Sequence, residues 1–253
     1  MKKILGPMRR AVEKYDMIRP GDRISVGLSG GKDSTALLYA LARYRHFSPV
    51  PFELEGITLD MGFKGMDFEP MRELCRSLDV PYTLRKTEIG PIVFDVRQEK
   101  NPCALCARMK RGALHDLSLE RGCRTIALGH HADDAIETFF LSLFYEGRIN
   151  TFSPVTWLDR KEITLIRPLI YVREKDIVLN PELKALPVVQ STCPADGHTK
   201  REEIKNMIRD LKKTIPDADE RVLRAIENKD QFHLWFNSER PGPGHERTLN
   251  SNE

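Results

Sequence analysis

A glycine-rich segment, Ser29-Gly30-Gly31-Lys32-Asp33-Ser34, joins a short apolar run to a stretch rich in alanine and leucine. Glycines let backbone amides approach a phosphate closely, and the first turn of a helix presents unpaired N–H groups with a partial positive charge. The segment is not a Walker loop, because Val26 stands where that motif has its first glycine. We predict a phosphate-binding loop of another type; the alternative is a ligand-free turn between a strand and a helix.

Two of the five cysteines form the close pair Cys103-Ala-Leu-Cys106 at the start of a predicted helix. The helix dipole there is expected to lower the pKa of the thiols and to favour thiolates, which bind metals and attack electrophiles. The spacing alone is ambiguous, since a structural zinc half-site or a redox pair has the same pattern. Cys75, on the apolar face of a helix, and Cys123, just before a strand, are predicted to be structural.

A third thiol, Cys193, lies in an irregular stretch, where a buried structural cysteine is less expected. Three thiolates suit a [4Fe–4S] cluster with one open iron that can hold an exogenous hydrosulfide. A fourth ligand such as His130, His131 or His198 would permit zinc instead. The residues leave both kinds of metal site open.

A third motif, Gly129-His130-His131-Ala132-Asp133-Asp134, follows an apolar strand and opens a helix. Glycine allows close approach to a nucleotide, and the paired aspartates can hold Mg²⁺ or orient a reacting group. Ordinary helix capping by Asp133 or Asp134 is the alternative.

The glycine-rich segment at residues 29–34 resembles the signature of the PP-loop ATP pyrophosphatases. The order of the three motifs, followed by Arg-Pro-Leu, resembles that of the tRNA 2-thiocytidine synthetases of this group over roughly residues 20 to 200. The resemblance implies that ATP, with Mg²⁺, adenylates the C2 oxygen of a tRNA cytidine, and that sulfur then replaces AMP. Such chemistry rests mainly on positioning and charge neutralisation.

The resemblance also implies which residues bind the nucleotide. Residues 29–34 would bind the pyrophosphate part of ATP. Thr58 and Asp60, at the end of a predicted strand, would lie near adenine and ribose, and Gly129 would line the nucleotide pocket.

The remaining site residues implied by the resemblance are thiols and two polar groups. Cys103, Cys106 and Cys193 would hold the cluster. Lys110, one turn beyond Cys106, and Asp134 would face the adenylation site. Without the resemblance, Lys110 is an ordinary solvated lysine on a helix.

Three other functions remain open. Cysteine persulfide could carry the sulfur without a cluster, or a cluster could serve to remove sulfur from a thiolated base without ATP. The chain could also bind nucleotide or zinc without turnover. The chain lacks the zinc-ribbon cysteine pairs of the 2-thiouridine enzymes, and the lysidine synthetases lack the Cys-x-x-Cys motif, so both of those activities are disfavoured.

The net charge of +3 permits contact with a polyanion without arguing for one. Residues 108–111 and the basic positions of residues 200–213 are candidates for RNA phosphate contacts, although charged helix faces are often merely solvated. The expected partners are tRNA, a sulfur donor such as a cysteine desulfurase or sulfide, and a second copy in a homodimer. No apolar run is long enough to cross a membrane and the N-terminus lacks a secretory signal, so a cytoplasmic location is expected.

The elements that must position these residues alternate between strands and helices. Strands are predicted at 24–28, 54–59, 82–87, 125–128 and 163–166, and helices at 35–44, 66–78, 105–121 and 133–145. This alternation indicates an α/β fold with a doubly wound, mostly parallel sheet of the PP-loop type. Ligands of such sheets bind beyond the carboxyl ends of the strands, where both glycine motifs fall.

Four regions are expected along the chain. They are an N-terminal helix at 1–19, an ATP-binding α/β domain at 20–185, a C-terminal helical segment with the third cysteine at 186–239, and a disordered tail at 240–253. Helices are predicted at 200–213 and 220–229 within the third region.

Overall fold

The computed structural model describes residues 1–97, 102–190, 192–194 and 200–228. Six strands form one sheet: β1 (Asp22–Gly27), β2 (Phe52–Asp60), β3 (Tyr82–Lys86), β4 (Thr125–Ala127), β5 (Val155–Leu158) and β6 (Ile163–Ile166). The helices are α1 (Lys2–Lys14), α2 (Lys32–Arg45), α3 (Glu69–Ser77), α4 (Ile89–Pro91), α5 (Pro102–Glu120), α6 (Ala132–Glu146), α7 (Glu174–Leu179), α8 (Pro181–Lys184), α9 (Lys200–Thr214) and α10 (Ala218–Glu227). A π-helical turn at Ile92–Val96 follows α4.

The strand order is β3-β2-β1-β4-β6-β5, and every pair is parallel except β5 with β6. Val26 of β1 lies opposite Gly56 of β2 on one side and Ala127 of β4 on the other. Strands β2 and β3 extend the sheet on one side of β1, and the later strands β4, β6 and β5 extend it on the other side. The carboxyl ends of β1 and β4 therefore form the topological switch point, and the predicted doubly wound, mostly parallel fold is confirmed.

Strand β1 is buried on both sides because helices cover both faces of the sheet. Ile24 and Val26 pack into the larger core with Leu37 of α2, while the Ser25 hydroxyl lies 2.9 Å from that of Ser118 in α5. A strand buried on both faces is expected of a parallel sheet. The two helical layers thus fix β1 and the loop that follows it.

The helix boundaries differ from the predicted ones at both ends of the chain. Helix α1 ends at Lys14, and it buries Ile4 and Met8 against the same core as α2. Helices α9 and α10 both contact α6. The last residue of the helix predicted at 220–229 and the tail at 240–253 lie outside the described residues. The division into regions stays a prediction.

Within the described ranges, no helix is both long and apolar enough to cross a membrane.

A buried carboxylate ties β2 to its neighbours. Glu55 is fully buried, and its Oε1 accepts hydrogen bonds from Arg121 Nε at 2.5 Å and from Thr83 Oγ1 at 2.9 Å. Its Oε2 accepts one from Arg23 Nη2 at 3.1 Å. Burial of a charge is tolerated here because each oxygen is hydrogen-bonded.

We predict that Glu55→Gln lowers the free energy of unfolding by about 2 kcal/mol. The amide has one acceptor oxygen, so it can accept from one arginine only, and its NH2 group would face the other arginine without a hydrogen bond. The two arginines are partly exposed, so the loss stays below that of a wholly buried pair. Urea denaturation measures it. Glu53→Gln is the matched control, since the Glu53 side chain is 78% exposed and lies 3.8 Å from Arg23. Equal effects of the two changes would contradict the prediction.

Candidate functional site

The phosphate loop is preorganised by its own serines. Ser34 Oγ accepts from the Ser29 amide at 3.2 Å and donates to the Gly31 carbonyl at 2.9 Å. Gly30 has φ +85°, a left-handed conformation that favours glycine. Helix α2 has Gly31 at its N-cap and no side-chain cap. Its first turn therefore offers backbone N–H groups to an anion.

A second segment packs onto this loop from far along the chain. The Val189 amide donates to the Gly30 carbonyl at 2.9 Å. A Cβ at Gly30 would lie 2.7 Å from Val189 Cβ, so a side chain there would collide. Residue 189 is four positions before Cys193. The hydrogen bond thus links the phosphate loop to the segment of the third cysteine.

Gly129 lies against the start of α2. A Cβ at this position would be 2.9 Å from the Ser34 amide nitrogen and 3.0 Å from Asp33 C, both backbone atoms that cannot swing away. The missing side chain therefore lets the loop after β4 approach the phosphate loop. The predicted contact of Gly129 with a nucleotide stays a prediction.

The two aspartates after Gly129 both act as caps. Asp134 Oδ2 accepts from the His131 amide at 2.9 Å while His131 Nδ1 accepts from the Asp134 amide at 3.3 Å, which forms a capping box at the start of α6. Asp133 Oδ2 accepts from the Glu174 amide at 2.7 Å and the carboxylate also pairs with Arg173. The second carboxylate oxygen of Asp134 is not used for capping: Oδ1 lies 3.1 Å from Arg201 Nη1 and forms an ion pair with it.

Glu137, one turn further along α6, is buried, and its Oε2 lies 3.3 Å from Arg201 Nη1. Burial raises the pKa of its carboxyl from 4.5 to about 7, and the Asp134 charge adds to the rise against the opposing charges of Arg201 and Lys205. This group changes its charge near neutral pH.

Lys32 of the phosphate loop is held by two carboxylates. Its Nζ lies 2.9 Å from Asp33 Oδ2 and 3.0 Å from Glu174 Oε1. Lys205 Nζ lies 2.8 Å from Glu174 Oε2. One carboxylate thus bridges two ammonium groups beside the first turn of α2.

One buried oxygen near this edge of the sheet, Asp33 Oδ1, has no hydrogen-bond partner among the described residues. Thr58 is fully buried in β2. His131 Nε2 is 3.8 Å from Asp33 Oδ1, too far for a hydrogen bond. Asp60 Oδ1 accepts from the Gly62 amide at 2.9 Å and so shapes the turn after β2. The free Asp33 oxygen suits a hard cation, because carboxylate oxygen is the ligand that Mg²⁺ prefers.

Among the three candidate ligand cysteines, Cys106 interacts electrostatically with both Cys103 and Cys193. Cys103 is exposed, while Cys106 and Cys193 are half-buried. Burial raises the pKa of the Cys106 thiol; Lys110 opposes this, and the negative charges of Cys193 and Cys103 add to it. The expected lowering of thiol pKa by the helix dipole is therefore wrong for Cys106.

The thiols do not form a preassembled metal site. In the described ranges, no three His, Cys, Asp or Glu side chains are grouped so that they could hold a metal ion. The zinc alternative through His130 or His131 is thus not assembled here, and His198 lies outside the described residues. The chemistry of the donor set still fits an iron–sulfur cluster, because thiolates are the ligands of such clusters and the Cys106 thiol interacts with those of both Cys103 and Cys193.

Cys75, Cys123 and His130 lie in buried surroundings that suit a structural role. Cys75 and Cys123 are fully buried, as predicted, and burial raises their thiol pKa values to about 12 and about 11. Burial lowers the pKa of His130 to about 4, and its ring lies 4.9 Å from that of Phe152. None of these groups is poised to react.

The basic face predicted on α9 is largely neutralised within the chain. Arg201, Lys205 and Lys212 pair with carboxylates of α6, α7 and α10. Lys200 and Lys213 pair with acidic residues of α9 itself. These ion pairs, and the roles of Arg173 and Glu174, were not predicted, because pairing of distant segments leaves no local sequence signal.

Comparison with known proteins agrees with this geometry. The PP-loop domain family matches residues 5–211. The sheet resembles that of the U34-tRNA thiolase NcsA from Methanococcus maripaludis, solved with its [4Fe-4S] cluster. The TM-score is 0.72 at 24% identity, over 89% of this chain and 78% of that one. The fold and the loop therefore define a PP-loop protein.

Two relatives narrow this class. A tRNA-cytidine(32) 2-sulfurtransferase of Pelobacter propionicus is 39% identical over 228 residues, which cover 89% of this chain and 85% of that protein. One of Geobacter sulfurreducens is 37% identical over 236 residues, or 92% of each chain. The chain belongs to the tRNA-cytidine 2-sulfurtransferase family of PP-loop proteins. Membership of this family confirms the prediction that the protein is an enzyme.

We predict that Gly129→Ala lowers the free energy of unfolding by about 1–3 kcal/mol, because the new methyl group would push α2 away from the loop after β4. Thermal denaturation measures the change. Gly112→Ala is the matched control: its Cβ would have no atom within 4 Å, and alanine favours the helix, so stability should rise by about 0.5–1 kcal/mol. A neutral or stabilising Gly129→Ala would contradict the close approach.

Glu137 should make stability depend on pH. Between pH 4.5 and about 7 the unfolded chain loses this proton while the folded chain keeps it, so the free energy of unfolding falls as pH rises. Glu137→Gln should therefore gain stability over wild type on the order of 2 kcal/mol more at pH 8 than at pH 5. Denaturation at both pH values measures it, with the exposed Glu202→Gln as control. A gain independent of pH would refute the assignment.

Proposed function

We propose that this protein is an ATP-dependent tRNA thiolase that converts a tRNA cytidine to 2-thiocytidine. The observation that carries the proposal is the hydrogen bond from Val189 to Gly30, because it joins the phosphate loop to the segment of Cys193. Cys193 in turn interacts with Cys106. The names of the relatives, tRNA-cytidine(32) 2-sulfurtransferases, support cytidine as the substrate.

In the proposed first step, the loop of residues 29–34 and Lys32 bind the phosphates of ATP. The C2 oxygen of the cytidine attacks the α-phosphate and pyrophosphate leaves, which gives an adenylated base. The first-turn amides of α2 and the Lys32 ammonium group stabilise the charge that moves onto the leaving pyrophosphate. Thr58 and Asp60 would lie near adenine and ribose, and Gly129 would line the pocket.

Mg²⁺, when bound, would neutralise phosphate charge. Asp33 is the residue that would hold it, because its Oδ1 is a buried carboxylate oxygen with no hydrogen-bond partner among the described residues. Asp134 would orient the cytidine, and Arg201 would keep its carboxylate in place.

In the proposed second step, sulfur bonds to C2 and the C2 oxygen leaves with AMP. Cys103, Cys106 and Cys193 would hold a [4Fe–4S] cluster, which when bound would supply an open iron for sulfide. Lys110, whose charge opposes the rise of the Cys106 pKa, would favour the thiolate and assist departure of AMP. The detail of the cluster draws support from NcsA, whose structure has one.

The wider setting is part of the proposal. The partners are tRNA, a sulfur donor such as a cysteine desulfurase or sulfide, and a second copy in a homodimer, in the cytoplasm. The candidate RNA contacts are the basic run at residues 108–111 and Arg209. Among the basic residues of α9, Arg209 is the one that forms no ion pair within the described part of the chain.

The activity is tested with anaerobically purified protein, unmodified tRNA, Mg-ATP and sulfide. We expect one AMP and one pyrophosphate for each 2-thiocytidine, measured by mass spectrometry of digested tRNA. Lys110→Ala should lower the rate by a factor of about 100 or more, the scale of one general acid or charge-stabilising group, with unchanged thermal stability. Sulfur removal without ATP, or nucleotide binding without pyrophosphate release, would contradict the proposal.

The cluster is tested by iron and acid-labile sulfide content and by the visible spectrum. We expect Cys103→Ala to lose both, because an open three-thiolate site cannot spare a ligand. Cys123→Ala should keep both, since that thiol is buried elsewhere. A colourless wild type after anaerobic reconstitution would leave persulfide transfer or structural zinc as the explanation of the thiols.

A further inference from the structure

Glu174 lies where an external anion would be expected. Its two oxygens lie 3.0 Å from Lys32 Nζ and 2.8 Å from Lys205 Nζ. Lys32 belongs to the phosphate loop, whereas Lys205 belongs to α9, far along the chain. A phosphate has oxygens at a similar separation to a carboxylate, so it can bridge the same two ammonium groups.

The cavity beside this bridge is lined by five basic and four acidic side chains, Glu174 among the acidic ones, so its positive charge exceeds its negative charge once Glu174 moves away. Glu174 and Lys205 line a cavity of about 360 Å³ between α6, α7, α9 and α10. Lys175 and Arg209 also line it, and neither forms an ion pair within the described ranges. Displacing the Glu174 carboxylate would leave further cations facing this space.

The bridge itself is strongly ionic. Burial raises the pKa of Glu174, but hydrogen bonds from Lys205 and Lys32 outweigh burial and lower it to about 2. The carboxylate is therefore charged throughout the physiological range. Its backbone amide is fixed by Asp133 Oδ2 at 2.7 Å, so the side chain can rotate away without moving the start of α7.

We propose that Lys205 is a second phosphate-binding residue that acts with Lys32 on the pyrophosphate part of ATP, and that Glu174 is an internal competitor displaced when ATP binds. This inference rests on the proposed function and extends the phosphate site beyond the loop to α9. The binding of ATP then brings α9 into direct contact with the nucleotide.

Calorimetric titration of the full chain with α,β-methylene-ATP and with AMP, both with Mg²⁺, tests this. Lys205→Gln should weaken binding of the ATP analogue by about tenfold to a hundredfold, the scale of one charge-assisted hydrogen bond, and leave AMP unchanged. Glu174→Gln should tighten the analogue by about threefold or more, and Lys205→Arg should retain wild-type affinity. Lys213→Gln is the matched control, because Lys213 is 75% exposed on the same helix and pairs with Asp210.

Several outcomes would overturn the inference. Wild-type affinity of Lys205→Gln for the analogue would overturn it while leaving the proposed function intact. An equal loss for AMP would mean that Lys205 only supports the fold, and weaker binding by Glu174→Gln would mean that Glu174 is itself a ligand. A wild type that binds no analogue would overturn the proposed function as well.

Discussion

The parallel pairing of β1 with both β2 and β4 is the constraint on which the site depends. Parallel neighbours release their following loops at the same edge, so the loops after β1 and β4 must share one small volume. They fit because Gly129 has no side chain to meet the backbone of Ser34. His131 and Asp134 follow Gly129 at the start of α6, so their positions depend on that contact.

A second layer of order comes from ion pairs between segments that are distant in sequence. Glu174, Arg173 and Arg201 fasten α7 and α9 to the switch point. Glu174 and Arg173 each pair with groups on two helices, while Arg201 pairs with two carboxylates of α6. Partly exposed ion pairs contribute little free energy of unfolding individually. Their main effect here is to orient side chains, since they determine which charged groups face the first turn of α2.

The strand positions and the phosphate loop were predictable because each depends on a local pattern. Strand β6 has its predicted bounds, and Cys75 and Cys123 are buried as predicted. Strand β5 was missed, because it is a short edge strand with Trp157 exposed and lacks a continuous apolar run. The bridging role of Glu174 and the raised pKa of Cys106 depend on contacts between remote segments, which spacing along the chain does not encode.

The attachment of the chain on both sides of Cys193 has a consequence for how the thiols meet. Val189 is hydrogen-bonded to Gly30 before this cysteine, and Arg201 is paired with Asp134 after it. The three thiols belong to one chain whose segments are fastened at these two points, so the encounter of the Cys193 thiol with the other two is intramolecular. The effective concentration of the Cys193 thiol is on the order of millimolar, and a free thiol would need about that concentration to compete with it.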